Sequence, residues 1–353
     1  MGTPFVCWGW KAEWGGDMEA KMNRRDFIKV SAATAATAAA GYAPGAASKE
    51  EIERTIAETK FIDIHAHCTE FEMPPVYIKD MKPLCEPDDL VGYYDRIGVE
   101  KGVILALCNP ENFIGGMTTE QILRTCARAP DRFIPSVGID PRGLGNNAFG
   151  DFEYVFKYYR DKGCKVCGEV CANLHFLDPI MQNYFKGCEA AGLPLTFHIA
   201  ADQDWLYGII DEKGLPELEI CLQRFPKLRF FGHSQSFWCE IGKYRTWEER
   251  TGFPKYPVEE GRIPQLMRKY PNLYGDLSAG SGNNSLARDP DYAGKFLTEF
   301  QDRLMFGIDI CAPKGFISPL ADTMKMLLRT GRITPKVYRK VCRENQLREL
   351  GLS

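Results

Sequence analysis

The sequence predicts an α/β protein: a (β/α)8 TIM barrel preceded by an export signal and closed by a C-terminal helix. Eight short apolar runs alternate with eight amphipathic stretches, the repeat is even, and histidines and carboxylates fall at the ends of the apolar runs. Composition supports a globular body, since the 353 residues are 44% hydrophobic and 26% charged. The 44 basic and 47 acidic residues leave a formal charge of −3, without the basic excess of a nucleic-acid binder. No window holds the roughly 18–20 uninterrupted apolar residues of a membrane span, so no stable membrane insertion is expected.

Residues 1–49 read as a leader and 50–353 as the barrel domain. Arg24-Arg25 precedes Phe27-Ile28-Lys29, a weakly apolar Ala/Thr/Ser run extends from Val30 to Ala40, and Gly45, Ala46 and Ala47 offer a cleavage site. This order resembles a twin-arginine export signal, which implies a periplasmic or otherwise exported protein. An unused signal would leave the chain in the cytoplasm; a tail with a chance Arg-Arg is the alternative, and the order of arginines, apolar run and small residues favours the signal over it. Cys7, Trp8, Trp10 and Trp14 sit awkwardly upstream, so Met18 or Met22 is a candidate start. The 13 cysteines are odd in number and irregularly spaced, which argues against a disulfide framework. Cys164, Cys167 and Cys171 mimic a metal knuckle without a second pair at finger spacing, and read as buried thiols.

The elements follow in order. Phe61–His65 is the first strand and Asp88–Ile97 its helix, stopped by Gly98; Gly102–Leu107 precedes helix Thr119–Arg128, and Arg132–Val137 precedes Phe152–Lys162. Cys164–Val170 leads to helix Ile180–Ala191, which ends at Gly192; Leu193–His198 leads to Leu215–Phe225. Leu228–Phe231 pairs with Ile263–Tyr270, Leu273–Asp276 with Pro290–Phe300, and Leu304–Ile308 with Pro319–Arg329. Strand starts from Phe61 to Leu304 are spaced by about 35 residues, close to the roughly 31 of a barrel unit. A doubly wound sheet also alternates in this way, but no Gly-rich phosphate loop follows the first strand. Thr334–Leu352 forms the closing helix, and 236–260 is an insertion on the open face. Its Phe237, Trp238, Tyr244 and Trp247 suit either a lid over an apolar substrate or packing against the barrel or a homodimer partner.

Catalytic groups in a barrel come from the C-terminal strand ends. His65 and His67 end strand one, Glu169 strand four, His198 strand five and Asp309 strand eight, while His233 follows strand six. Residues two apart on a strand face the same way, so His65 and His67 can aim at one cation. Three nitrogens and a carboxylate, with room for water, form a catalytic metal set. Asp309 can bind the ion and take the proton of its water, while His233 contacts substrate or merely caps its loop. Glu169 is a second-metal ligand, a substrate contact or a partner of Lys165. Asp63 is expected to support His-x-His or form an ion pair, Asp276 and Ser278 to hydrogen-bond within the mouth, Cys311 to pack beside the site, and His175 to lie at the surface.

These residues resemble the amidohydrolase superfamily: Phe-Ile-Asp-Ile-His65-Ala-His67, Leu-Thr-Phe-His198, Phe-Gly-His233, Phe-Gly-Ile-Asp309 and the closing run Glu344 to Leu352. More narrowly they resemble the branch containing aminocarboxymuconate semialdehyde decarboxylase and resorcylate decarboxylases, over residues 60–352. The resemblance implies a metal-dependent barrel enzyme acting on a small molecule. His65, His67, His198 and Asp309 would bind one divalent metal, zinc first and manganese as the alternative, and His233 would polarise or protonate substrate. Two departures stand out: Ser234-Gln235-Ser236-Phe237-Trp238 follows the strand-six histidine, and Gly168-Glu169 stands where some members carry a bridging lysine. Glu169 leaves a second metal open.

Hydrolysis of a C–N or C–O bond is the leading expectation, with Asp309 shuttling the proton and His233 steadying the oxyanion. Non-oxidative decarboxylation of an aromatic or unsaturated acid is the alternative, with Arg142 or Arg288 as candidate carboxylate clamps. A TatD-like phosphodiesterase also uses a strand-four Gly-Glu, but the charge balance opposes it. A barrel that only binds a ligand or metal is disfavoured by the water-activating set.

Overall fold

The computed structural model describes residues 47–71, 84–112, 117–201, 207–312 and 317–352. The signal expected within residues 1–46 therefore lies outside the described residues. Eight strands are β1 Phe61–Ala66, β2 Val99–Ile104, β3 Phe133–Pro135, β4 Cys167–Val170, β5 Leu195–His198, β6 Phe230–His233, β7 Leu273–Asp276 and β8 Leu304–Met305. Neighbours in sequence pair in parallel, in a run β1-β2-β3 and a run β4 to β8.

Irregular backbone joins the two runs into a closed barrel. Val137 bridges Cys167, and Gly168 N–H donates to Val137 O at 3.0 Å, which ties β3 to β4. At the other seam Ile64 N–H donates to Phe306 O at 3.1 Å, Asp309 N–H to His65 O at 2.7 Å and His67 N–H to Ile310 O at 3.0 Å. Every residue of β1 is buried, as parallel strands covered on both faces require.

The helices are α1 Lys49–Glu58, α2 Pro87–Ile97, α3 Thr119–Ala127, α4 Phe152–Asp161, α5 Pro179–Ala191, α6 Pro216–Arg224, α7 Gln235–Cys239, α8 Arg262–Lys269, α9 Ala279–Ala287, α10 Pro290–Glu299, α11 Leu320–Arg329, α12 Pro335–Arg339 and α13 Asn345–Glu349. Local chemistry sets their ends. A Glu86/Asp89 capping box and Pro87 start α2, and Gly98 at φ 85° stops it. Asp178 and Pro179 start α5, and Gly192 at φ 71° ends it. The expected closing helix is α12, a wide turn at Lys340–Glu344 and α13 in succession. It plugs the barrel floor: Gln346 Nε2 donates to Phe306 O at 3.1 Å and to Val341 O at 2.9 Å. Leu350 joins Ile64, Val103, Leu105, Ile134, Val166, Phe231 and Met305 in the barrel interior.

The insertion differs from a lid. Phe237, Trp238 and Tyr244 are buried, and Trp238 Nε1–H donates to Asp276 O at 2.7 Å. These rings pack on the barrel wall because α7 turns back at once after β6. Trp247 alone among the four is exposed, at 40%.

Candidate active site

The strand ends bring the expected residues into one buried cluster. His65 Nδ1 meets Asp276 Oδ2 at 2.6 Å, and His67 Nδ1 meets Leu105 O at 3.1 Å. Both partners accept, so each Nδ1 carries a hydrogen, and a ring in its neutral form turns a bare Nε2 into the barrel mouth. Those two Nε2 atoms lie 3.1 Å apart. Glu169 Oε2 is 3.5 Å from each of them. Asp309 Oδ1 lies 3.5 Å from His65 Nε2 and 3.4 Å from His67 Nε2.

Four electron-rich atoms converging in this way need a cation among them. Protons can serve: burial disfavours a charged His67 ring, yet contact with Asp309 and Glu169 pushes its pKa up to about 9. Burial likewise opposes the charged forms of Asp309 and Glu169, but the facing imidazoles hold both carboxyls below the usual carboxylate range. The donor set also fits a divalent metal, because carboxylate and carbonyl partners behind the rings fix the tautomers that ligation uses. Ligand atoms of His65, His67 and Asp309 all lie within 4.8 Å of one another, as do those of His65, Glu169 and His233.

Asp309 reaches this position through a left-handed backbone, φ 56°, which Asp tolerates better than most residues. His233 Nε2 lies 3.5 Å from Asp309 Oδ2 and 3.9 Å from Glu169 Oε1. Its Nδ1 is 3.0 Å from Ser278 Oγ, and Ser278 N–H in turn donates to Asp276 Oδ1 at 3.0 Å. His198 stands one step back: its Nδ1 meets Glu169 Oε1 at 2.8 Å, and its ring packs edge-on against Tyr207. Burial lowers the His198 pKa.

Asp63 supports backbone rather than rings. It accepts from His65 N–H at 3.0 Å, Ile308 N–H at 2.9 Å and Tyr94 Oη at 2.9 Å, and burial pushes its carboxyl up to about 7. Cys311 Sγ lies 3.8 Å from Asp309 Oδ1, and His175 is exposed beside Glu217. Of the alternatives open for Glu169, the structure does not show the Lys165 pairing: its carboxylate faces His65, His67, His198 and His233. The two candidate clamps need correction. Arg288 stands outside the cluster, at the end of α9, where it packs near Gly242 and the Tyr256 ring. Arg142 is held by Glu111 and Asp140, so carboxylates of the chain already occupy its fork.

Cys171 is a free, buried thiol as expected, and its sulfur lies with Glu169 and His198 in a third group spanning 4.8 Å or less. Its two-residue spacing from Glu169 is the sequence signal for that proximity, which the sequence reading did not draw on.

The sequence profile described as amidohydrolase matches residues 62–352. The chain belongs to the amidohydrolase family. A twin-arginine translocation signal matches residues 21–41 and directs this amidohydrolase to export. No helix among the described residues is long and apolar enough to cross a membrane. No curated protein matches the chain. Among solved structures, it is similar to an uncharacterized TIM-barrel protein of Bordetella bronchiseptica, with TM-score 0.55 and 17% identity over 83% of this chain and 98% of that one. It is also similar to 5-carboxyvanillate decarboxylase of Novosphingobium aromaticivorans, complexed with manganese and a nitrobenzoic acid, with TM-score 0.53 and 13% identity over 84% and 97% of the two chains. A 2,6-dihydroxybenzoate decarboxylase from Rhizobium has TM-score 0.50 and 15% identity, over 83% and 99%.

Proposed function

We propose that this amidohydrolase is a metal-dependent, non-oxidative decarboxylase of an aromatic or unsaturated carboxylic acid. The observation that carries metal dependence is the 3.1 Å approach of two tautomer-fixed Nε2 atoms, flanked by Glu169 and Asp309. The likeness to barrels that decarboxylate carboxyvanillate and dihydroxybenzoate favours carboxy-lyase chemistry over the hydrolysis expected first. His65, His67, Asp309 and Glu169 would hold the ion, with His198 behind Glu169; zinc and manganese both suit these donors. Bound there, a divalent ion supplies a Lewis acid that grips acidic oxygens of the substrate and offsets their charge.

The residues around it handle one proton. Ser278 anchors His233 Nδ1 and leaves Nε2 facing Asp309 Oδ2. This pair delivers a proton to the carbon that loses its carboxylate: the C–C bond breaks, its electrons stay on that carbon, and carbon dioxide leaves. The buried walls keep bulk water from competing for the proton. The domain organisation follows the same proposal. Cleavage at Gly45–Ala47 removes the leader and leaves Ser48 to cap α1, where its Oγ accepts from Glu51 N–H at 3.1 Å.

Hydrolysis is the second reading, and one observation favours it. The Asp309 side chain is 20% accessible while Glu169 is 1% accessible, so an ionised base stands within reach of water. The test is a panel of hydroxybenzoates and unsaturated acids in D2O, with metal-loaded protein. Release of carbon dioxide with one deuterium placed on the product carbon supports decarboxylation. Turnover of lactones or amides without carbon dioxide selects hydrolysis, and neither activity in metal-loaded protein overturns both.

A further inference from the structure

Helix α9 begins in the wall of the mouth. Its cap residue, Ser278, is fully buried and brings its Oγ to 3.0 Å from His233 Nδ1. The hydroxyl that would close the start of the helix therefore serves the histidine, and α9 has no side-chain cap. Ala279 is fixed from two sides: its N–H donates to Ile308 O at 3.2 Å, and its O accepts from Ser318 Oγ at 2.8 Å. The first turn of α9 thus lies beside Asp309, and Ala279 and Gly280 keep part of their surface open. Gly282 N–H reaches Ser278 O at 3.2 Å, but among the described residues the N–H groups of Gly280 and Ser281 have no acceptor. Ser281 supplies a second, separate sign. It is 4% exposed, yet its Oγ has no hydrogen-bond partner. The Cα–Cβ bond of a helical residue leans toward the N-terminus, so the hydroxyl of Ser281, three residues after Ser278, overhangs the same uncapped turn. A buried hydroxyl and two backbone donors are costly to leave without an acceptor, and the helix dipole makes an anion the preferred one.

We propose that the first turn of α9, through Gly280 N–H, Ser281 N–H and Ser281 Oγ, is a carboxylate cradle that holds a second acidic group of the substrate. This rests on the decarboxylase reading given above. Three donors match the two oxygens of one carboxylate, each of which accepts more than one hydrogen bond. The cradle suits the carboxylate that the product keeps. A carboxylate about to leave as neutral carbon dioxide must give up its charge, and donors that grip that charge in the ground state oppose the loss. One acidic group therefore faces His233 and Asp309 and is lost, while the other anchors the substrate at α9. The substrate class narrows to dicarboxylic acids, and Ser281 is the residue that sets the preference.

The test measures binding of isophthalate, with benzoate as its single-acid counterpart, to the manganese-loaded full chain by titration calorimetry. Wild type should bind isophthalate about tenfold more tightly than benzoate, the worth of a hydrogen-bonded charge. Ser281→Ala should lose most of that difference, Ser281→Thr should retain it because it keeps the hydroxyl, and Ser285→Ala, one turn further on, should leave it unchanged. No difference in wild type, or a difference that survives intact in Ser281→Ala, overturns the cradle. Ser281→Asp carries its own carboxylate into the turn, and it stands in if Ser281→Ala does not fold. It should abolish the preference for isophthalate while holding or raising the melting temperature; a protein that melts lower and still prefers isophthalate overturns the cradle. Preference for isophthalate without carbon dioxide release from any diacid supports the cradle and removes the decarboxylase reading. Carbon dioxide release from single acids, with no preference for isophthalate, does the reverse.

Discussion

Replacing Asp276 by Ala removes the acceptor that orients His65, the first of the proposed metal ligands. The bond it breaks is short, 2.6 Å from His65 Nδ1, and both side chains have no exposure. Asp276 Oδ2 also stands 3.6 Å from His233 Nδ1, so one carboxylate sets two rings. Without it, His65 is free to place its hydrogen on Nε2, the atom that must offer a lone pair. Loss of such an outer partner typically weakens metal affinity by about 10–100-fold. That range equals about 1.4–2.8 kcal/mol, and the burial and shared use of Asp276 place this variant toward the upper end. Asp276→Asn keeps an acceptor oxygen without the charge, so its loss should be smaller, about tenfold. The assay is competition for zinc or manganese against a chromophoric chelator at neutral pH, with thermal melts of the metal-free proteins as the folding control. A folded Asp276→Ala protein that binds within about threefold of wild type would refute the tautomer argument. A loss as large as that of His65→Ala would show instead that Asp276 binds the ion itself.

Trp238→Phe removes the 2.7 Å bond to Asp276 O and leaves a buried carbonyl without its donor; urea melts should show a loss of about 1–3 kcal/mol, and an unchanged midpoint would mean that water takes the donor's place. Gly232→Ala puts a methyl carbon 2.1 Å from Phe237 Cε2, so it should destabilise by about 1–3 kcal/mol or more. Pairing it with Phe237→Leu should recover part of that loss, and a purely additive double variant counts against this contact. Burial pushes the Asp211 carboxyl from 3.8 up to about 6, against three backbone N–H donors. Because the folded value lies above the unfolded one, ionisation costs stability: nothing below pH 3.8, growing until about pH 6 and level beyond it. A shift of about two units is worth about 3 kcal/mol, so wild type should gain on Asp211→Asn as pH falls from about 7 to about 4. A stability difference that is flat with pH sinks this reading.

Much of the barrel is legible because parallel strands buried on both faces read as apolar runs, and their ends are marked by the first polar side chain. His198 and His233 end β5 and β6 on that rule, and His65 stands one residue before the end of β1. The rule fails where backbone leaves regular geometry. The ladder of β8 stops at Met305, well short of the expected Ile308, because Phe306 to Ile310 bond irregularly to β1. Helix α9, Ala-Gly-Ser-Gly-Asn-Asn-Ser-Leu-Ala, carries too few large apolar residues to show a helical period, and α1 hides beside the leader. Trp238 and Phe237 read as lid aromatics because composition cannot tell a ring that covers substrate from one that covers a barrel wall. Residues that meet across the fold are the hardest to read. His65 and Asp276 lie 211 positions apart, and nothing local to either announces the other.

The seam between β1 and β8 sets the order in which the protein can become active. Asp309 N–H bonds to His65 O across that seam at 2.7 Å, so the two ends of the barrel domain contribute adjacent members of the proposed metal set. A chain still emerging from the ribosome, complete through β7 but lacking β8, holds the histidines without the carboxylate that completes their charge. On the proposed function, ion capture and final ring closure would therefore be coupled, each stabilising the other. For a chain bearing a twin-arginine translocation signal this coupling has a cellular meaning. If the proposed metal site is filled before export, the ion would be acquired on the cytoplasmic side, and the export machinery would receive a molecule already closed by the meeting of its first and last strands.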